Sequence, residues 1–290
     1  MRQGQASNAE TVDMREVVLP GGEKVSQLGQ GTWFMGERKD RFKAEADAIR
    51  LGVDLGMTLV DTAEMYADGG AEEMLAEALK GIREKVFLVS KVYPQNASFK
   101  GVRAAAERSL KRMNTDVIDL YLLHWRGSVP FEDTVRGMEA LQADGLIRHW
   151  GVSNLDTDDM EELLNIEGGE NCAVNQILYN PARRGPEFDL IPFLAENDIP
   201  IMAYSPIEQG RLPTTGALGD IAKKHNAGPF QVALAWAMRT PGVIAIPKAS
   251  NPDHVKANRA AADIVLDASD LAAIDKAFAP PTRKRGLEML

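Results

Sequence analysis

The chain has 290 residues, a net charge of -9 and a pI of about 5.1, which disfavours nucleic acid as the main partner because phosphate backbones need a basic face. A local basic pocket for a small phosphorylated ligand stays open. With 44% apolar and 26% charged residues the composition is that of an ordinary globular protein; its one cysteine, Cys172, excludes an internal disulfide and suits a reducing cytoplasm. No apolar run nears the roughly 20 residues of a membrane helix, and the polar stretch Met1 to Asp13 lacks the apolar core of a signal peptide, so a cytoplasmic location is expected. Residues 1–13 read as a flexible tail and 14–290 as one domain, since a barrel of roughly 250 residues fits the length.

After the tail, Val17-Val18-Leu19, Pro20-Gly21-Gly22 and Val25 predict a β-hairpin turned by Gly-Gly, placed to cap the closed bottom of a barrel. Eight apolar, β-branched-rich runs follow, near 28–32, 57–61, 85–91, 117–124, 147–152, 172–177, 199–204 and 243–248, as strands buried on both faces should read. Helical patterns lie between them. Phe42, Ala46, Ile49 and Val53 share one face, as do Val102, Ala106, Leu110 and Met113, with Asp40 and Ser98 as expected N-caps. After the seventh run a Gly/Pro/Thr-rich loop, Ile207 to Leu218, leads into two helical stretches near 218–226 and 230–239, parted by Gly228-Pro229. Ala268 to Phe278 reads as an additional helix, and the tail from Pro280-Pro281 through Arg283-Lys284-Arg285 as irregular. The expected fold is therefore α/β: a (β/α)8 TIM barrel with an N-terminal β-hairpin and auxiliary helices.

Each run ends on polar residues: Gly31-Thr32, Asp61, Lys91, His124, Ser153-Asn154, Gln176, Tyr204-Ser205 and Lys248. A barrel collects such residues at one mouth, where its active site lies. Tyr66, just past Asp61, can give a proton to a carbonyl oxygen, but a phenol with a pKa near 10 is a weak donor in water. Lys91 would lower that value by favouring phenolate, Asp61 would hold the lysine charged, and His124 could hydrogen-bond the same substrate oxygen. Taken singly, each also reads as a cap, a rim contact, an ion pair or a satisfied core residue. On three consecutive strand ends they read together as a site for reducing a carbonyl.

These residues carry a resemblance. Asp61-Thr62-Ala63-x-x-Tyr66, Ser90-Lys91-Val92, Leu123-His124-Trp125, Gly151-Val152-Ser153-Asn154, Tyr204-Ser205-Pro206 and Ile246-Pro247-Lys248 resemble the aldo-keto reductases over about residues 15–278. Within that family the stretches Asp61–Glu72, Arg83–Pro94 and Asn114–Trp125 are similar to the bacterial YeaE-like group. The resemblance implies a (β/α)8 barrel, an NADPH cofactor and reversible carbonyl reduction. It implies a tetrad of Asp61, Tyr66, Lys91 and His124 with Tyr66 as proton donor, and small reactive aldehydes, including α-oxoaldehydes such as methylglyoxal, as substrates.

The cofactor reading has independent support. No G-x-G-x-x-G or Walker lysine motif follows a strand, so a Rossmann or P-loop site is not expected, whereas a barrel can hold phosphate after strands seven and eight. Ser153, Asn154 and Gln176 suit a carboxamide, and Tyr204 offers a flat face for a nicotinamide ring; the same residues would also serve to satisfy strand-end backbone. The resemblance places Gly31, Thr32, Asp61, Ser205, Ile207 and Gln209 at the cofactor too, and matches Lys248, Ala249, Ser250, Asn251, His254 and Asn258 to the segment that holds the adenosine 2′-phosphate. Two positions depart from the family pattern. His254 stands where arginine is usual, and Ala249 where a hydroxyl residue often follows the lysine. Histidine carries charge only at acid pH, whereas arginine always does.

Trp33, Phe34, Tyr93, His124 and Trp125 are expected to line an apolar substrate pocket. The short run Gly127 to Pro130 and the short C-terminal tail predict that it is open. A cofactor-binding regulatory or channel-subunit-like protein on the same barrel is the alternative; the intact tetrad argues against it. A metal hydrolase would need clustered ligands, and the four histidines show no H-x-H or H-x-x-x-H spacing, so no metal is expected. With no exposed apolar stripe, a monomer with a small-molecule carbonyl substrate and no nucleic-acid or membrane partner is expected.

Overall fold

The computed structural model describes residues 14–290; the expected flexible tail, residues 1–13, lies outside them. Val17, Val25 and their neighbours form the predicted hairpin, with β1 (Glu16–Val18) antiparallel to β2 (Lys24–Ser26) and Val17 opposite Val25. Its turn closes through Gly22 N–H to the Leu19 carbonyl at 2.8 Å, with Gly22 at φ 83°, a conformation glycine adopts without a Cβ penalty.

Eight parallel strands follow in spatial order of sequence: β3 (Gln30–Gly31), β4 (Leu59–Asp61), β5 (Phe87–Val92), β6 (Ile118–Leu123), β7 (Ile147–Ser153), β8 (Asn175–Leu178), β9 (Ile201–Tyr204) and β10 (Val243–Ala245). The ends of this sheet meet. Leu28 bridges Ala245 in parallel, Gly29 N–H donates to the Ala245 carbonyl at 2.8 Å, and Gly31 N–H donates to the Pro247 carbonyl at 3.0 Å. Gly31 is required there: a Cβ would stand 2.9 Å from the Ile246 carbonyl oxygen. The eighth strand stops at Ala245 rather than at residue 248. Pro247 has no N–H to extend the ladder, though its carbonyl still accepts, so Lys248 projects from a loop.

Helices fill the connections: α1 (Phe42–Asp54), α2 (Gly70–Ala78), α3 (Phe99–Met113), α4 (Phe131–Ala143), α5 (Thr157–Leu164), α6 (Leu190–Glu196), α7 (Ala217–Lys224), α8 (Pro229–Ala237) and α9 (Pro252–Ala260), with α10 (Ala268–Ala277) following as the predicted additional helix. Ser98 caps α3 as expected, its Oγ accepting from Gly101 N–H at 3.2 Å. Asp40 does not cap α1. A 3-10 turn, Lys39–Arg41, intervenes, and the Asp40 carboxylate pairs with Arg38 at 2.6 Å instead. The auxiliary helices α7 and α10 are tied by Lys224 to Asp267 and Asp270 and by His225 to Asp270. Among the described residues no helix is long and apolar enough to cross a membrane.

The core has two layers. Leu59, Phe87, Val89, Leu120, Leu122, Val174, Met202, Ile244 and Ile246 pack inside the barrel, and Val17, Leu19 and Val25 of the hairpin join them, closing the bottom as predicted. Their strand neighbours Val60, Leu88, Tyr121, Ile177 and Ala203 face outward and pack against Ala46, Ile49, Val102, Ala106 and Leu110 of the helices. Each fully buried branched side chain contributes about 1.5–3 kcal/mol, so the inside–outside alternation sets the strand register that positions the site.

Candidate active site

Most of the site residues continue the inward-facing series of their strands, at or just past the strand ends. Side chains alternate across a strand, so Leu59 is followed inside by Asp61, Phe87 and Val89 by Lys91, Leu120 and Leu122 by His124, Val174 by Gln176, Met202 by Tyr204, and Ile244 and Ile246 by Lys248. The apolar series fills the barrel and the polar residue ends it at the mouth.

Asp61, Lys91 and Tyr66 meet there. Lys91 is fully buried, and its Nζ donates to Asp61 Oδ2 at 2.9 Å, to the Thr62 carbonyl at 2.8 Å and to Tyr66 Oη at 3.0 Å. An ammonium has three hydrogens, and these three acceptors use them all. Tyr66 Oη is thus an acceptor from Lys91, and its own hydrogen is left for another partner. The other carboxylate oxygen, Asp61 Oδ1, accepts from Gln176 Nε2 at 2.8 Å, a bond that spans the barrel mouth from β4 to β8. Tyr66 is presented by a tight turn in which Ala67 and Asp68 take φ of 52° and 51° before Gly69 at 91°. Left-handed non-glycine residues cost roughly 1–2 kcal/mol each, strain of the kind that collects at functional sites.

Burial dominates the electrostatics. It raises the Asp61 carboxyl above its ordinary value, with Lys91 opposing the rise, and it lowers Lys91, with Asp61 opposing the fall. Tyr66 differs from the expectation of a lowered pKa. Burial raises it well above 10.0, and the Asp61 charge adds to the rise, so the phenol stays protonated. The Lys91 hydrogen bond is the contact that favours its anion. His124 is pushed down to about 2, by burial first and by the Lys91 charge second, and is neutral at any working pH. Among the described residues its Nδ1 has no hydrogen-bond partner, and its ring lies edge-on to Tyr66 at 5.9 Å between centroids.

These residues open onto a cavity of about 710 Å³. Its walls include the expected Gly31, Trp33, Phe34, Asp61, Tyr66, His124, Trp125, Ser153, Asn154, Gln176, Tyr204, Ser205, Ile207, Gln209, Lys248, His254 and Asn258. On the β7–β9 side Tyr204 Oη donates to Asn154 Oδ1 at 2.9 Å, and Asn154 Nδ2 donates to the His124 carbonyl at 3.1 Å. Burial pushes Tyr204 up to about 12, so it stays a neutral platform. The loop after β9 is held by buried Glu208, which accepts from Asn180 and Arg183, each at 2.8 Å, while Glu208 and Gln209 sit at φ of 51° and 54°.

Five expected contacts do not line this cavity. Thr32 is buried and donates its hydroxyl to the Asp61 carbonyl at 3.0 Å. Tyr93 packs edge-on against Trp125 at 5.9 Å rather than facing the opening. Ala249 packs against the cluster of Leu28, Ala48 and Met57, Ser250 faces the Lys248 amine at 3.3 Å, and Asn251 caps α9 through Asp253 N–H at 2.8 Å. Conversely, Met65, Phe230, Gln231, Met289 and Leu290 line it and were not foreseen. The tail is irregular, as expected, but it folds back to the mouth instead of leaving it open. Lys284 pairs with Asp158 at 2.7 Å, Leu287 N–H donates to Asp156 at 3.2 Å, and Glu288 pairs with Arg183.

The aldo/keto reductase family profile matches residues 27–279. The chain belongs to the aldo/keto reductase family. Methylglyoxal reductase YeaE of Escherichia coli (strain K12) is 50% identical over 96% of this aldo/keto reductase and 100% of that protein. Glyoxal reductase of Bacillus subtilis (strain 168) is 34% identical over 79% of this chain and 82% of its own. Among solved structures, an aldo/keto reductase from Klebsiella pneumoniae in complex with NADP and acetate superposes with a TM-score of 0.93 at 47% identity, covering 96% of this chain and 100% of that one. A second structure of an aldo-keto reductase from that organism, with NADPH, gives 0.94 at the same identity and coverage.

Proposed function

We propose that this aldo/keto reductase uses NADPH to reduce small aldehydes, α-oxoaldehydes such as methylglyoxal among them, with Tyr66 as the proton donor. The observation that carries the reading is the spent lysine: Lys91 gives its three hydrogens to Asp61, the Thr62 carbonyl and Tyr66 Oη, which leaves the Tyr66 hydrogen free beside the cavity. The YeaE relative is named for methylglyoxal reduction and the Klebsiella neighbours hold NADP or NADPH, and both lines favour the same assignment.

The donor set fits the dinucleotide. Asn154 and Gln176 bring amides and Ser153 a hydroxyl to one wall, Tyr204 a ring face, and Lys248 an exposed ammonium that makes no ion pair among the described residues, close in sequence to the N-terminus of α9. A helix N-terminus and an ammonium together favour an anion. When bound, NADPH supplies the hydride. The chain's own part is then to orient the carbonyl between Tyr66 and neutral His124, exclude water with Trp33, Phe34 and Trp125, and deliver a proton from Tyr66 Oη as charge develops on the substrate oxygen. Lys91 stabilises the phenolate left behind, and Asp61, held by Gln176, keeps the lysine in place.

The same reading has residues 14–290 act as one domain and as a monomer in the cytoplasm, which the buried Cys172 thiol suits. Steady-state NADPH oxidation with methylglyoxal, glyoxal and a panel of simple aldehydes tests the function. The expected result is turnover of α-oxoaldehydes with NADPH preferred over NADH; no oxidation of NADPH with any of them contradicts it.

A further inference from the structure

The outer wall of the cavity has an uneven chemistry. Trp33 packs on Tyr66 and Trp125 on His124, and Phe34, Met65, Met289 and Leu290 share the same cavity wall, the Leu290 backbone lying against Tyr204; all of these side chains are apolar or aromatic. The one lysine or arginine on the cavity wall among the described residues is Lys248, which follows β10 on the same segment as His254 and Asn258. Arg283 and Arg285 of the tail make no ion pair among the described residues but do not line the cavity, and three other cations close in sequence to the wall are matched. Arg126, beside Trp125, pairs with Asp159 and Glu162; Arg183, which holds Glu288 beside Met289, also binds Glu208; and Lys284 pairs with Asp158 and Asp189. The buried Lys91 has no hydrogen left, and His124 is neutral. The protein as a whole carries a charge of -9.

We infer that the site selects uncharged carbonyl compounds over those that also bear a carboxylate, and that Met289 and Leu290 are specificity-determining residues in that choice. The inference rests on the proposed reductase activity and narrows its substrate class. A carbonyl carbon set at Tyr66 and His124 directs the rest of a small substrate along this wall. A carboxylate two or three bonds away would lose water there and meet no counter-cation, and an unpaired charge is the costly kind to desolvate. The tail is what completes the wall, and its anchors at Asp156, Asp158 and Arg183 fix Met289 and Leu290 in place.

The test compares methyl 4-oxobutanoate with 4-oxobutanoate, whose aldehydes are alike and whose far ends differ in charge. The expected result for the wild-type enzyme is a kcat/KM at least about tenfold higher for the ester, the order of one unpaired, half-exposed charge. Met289→Lys should narrow that ratio at least about fivefold, and added salt should erode the gain because exposed charges are screened. Met289→Gln, polar but uncharged, should leave the ratio near that of the wild type, and Leu290→Lys gives a second route to the same cation. Ester turnover with a wild-type ratio near one overturns the inference alone, as does a glutamine variant that narrows the ratio as far as lysine does. If folded enzyme turns over neither the ester nor methylglyoxal, the proposed function falls and this inference falls with it.

Discussion

Replacing Lys91 by methionine keeps the volume and deletes three hydrogen bonds at once. At 3.0 Å from Tyr66 Oη the ammonium stabilises a phenolate by about 5 kcal/mol at an effective dielectric of ~20, equivalent to about 4 pKa units. Lys91→Met therefore makes Tyr66, already held well above 10.0 by burial, a still weaker acid. The expected loss in kcat is about 10²–10⁴-fold, the range general acid catalysis supplies. A second effect is structural. Asp61 keeps only the Gln176 bond at 2.8 Å and becomes an unmatched buried carboxylate, a change worth about 3–5 kcal/mol. At roughly 2–4 °C per kcal/mol the Tm should fall by about 6–20 °C. Adding Asp61→Asn removes the stranded charge, so the double variant should recover much of the Tm and none of the activity. Thermal melts and single-turnover reduction on the four proteins of this cycle make the comparison. A single variant with wild-type kcat and an unchanged pH–rate profile would refute the coupling, and a double variant no more stable than the single one would refute the stranded carboxylate.

Two further outcomes are expected. His124 titrates at about 2 in the folded chain and near 6.5 unfolded, so the unfolded state binds the extra proton first and stability drops as pH falls below about 6.5; at pH 4.5 the loss is about 2–3 kcal/mol. His124→Gln should show a correspondingly shallower decline in Tm between pH 7.5 and 4.5, and parallel curves for the two proteins would contradict the buried neutral imidazole. Lys248→Ala should narrow the NADPH/NADH affinity ratio more than His254→Ala does, and His254→Arg should tighten NADPH binding, read by fluorescence titration; a ratio unmoved by Lys248→Ala would remove the lysine from the phosphate site.

Much of this was legible because one physical rule governs both fold and site. The alternation that puts Leu120 and Leu122 inside the barrel also puts His124 at its mouth, and the same parity places Lys91 after Phe87 and Val89. The hairpin was readable from its turn residues, and its role as a bottom plug from having three apolar side chains with nowhere else to go. What escaped were features set by long-range contacts. Met289 and Leu290 reach the cavity because Lys284, Leu287 and Glu288 find partners on residues far away in sequence, and nothing local in Pro280 to Leu290 encodes that path. Asp40 read as a cap because its type and place were right, but Arg38 competes for its carboxylate. Tyr93 followed a strand end as Trp125 does, and the choice between facing the opening and packing against its neighbour is made by tertiary contact. The direction of the Tyr66 shift was missed for a related reason: a neighbouring cation can be named from sequence, whereas complete burial beside an anion cannot.

The central claim is that Tyr66 Oη, holding its hydrogen free because Lys91 donates to it, protonates the substrate oxygen. Tyr66→Phe removes that one oxygen and keeps the ring against Trp33 at 5.0 Å, so the cavity wall stays built. The decisive measurement is single-turnover reduction of methylglyoxal by this variant with NADPH prebound and its binding measured separately. The account predicts NADPH affinity within about twofold of wild type and a reduction rate down by about 10²–10⁴-fold. A rate more than half that of wild type, with the cofactor bound, would contradict it.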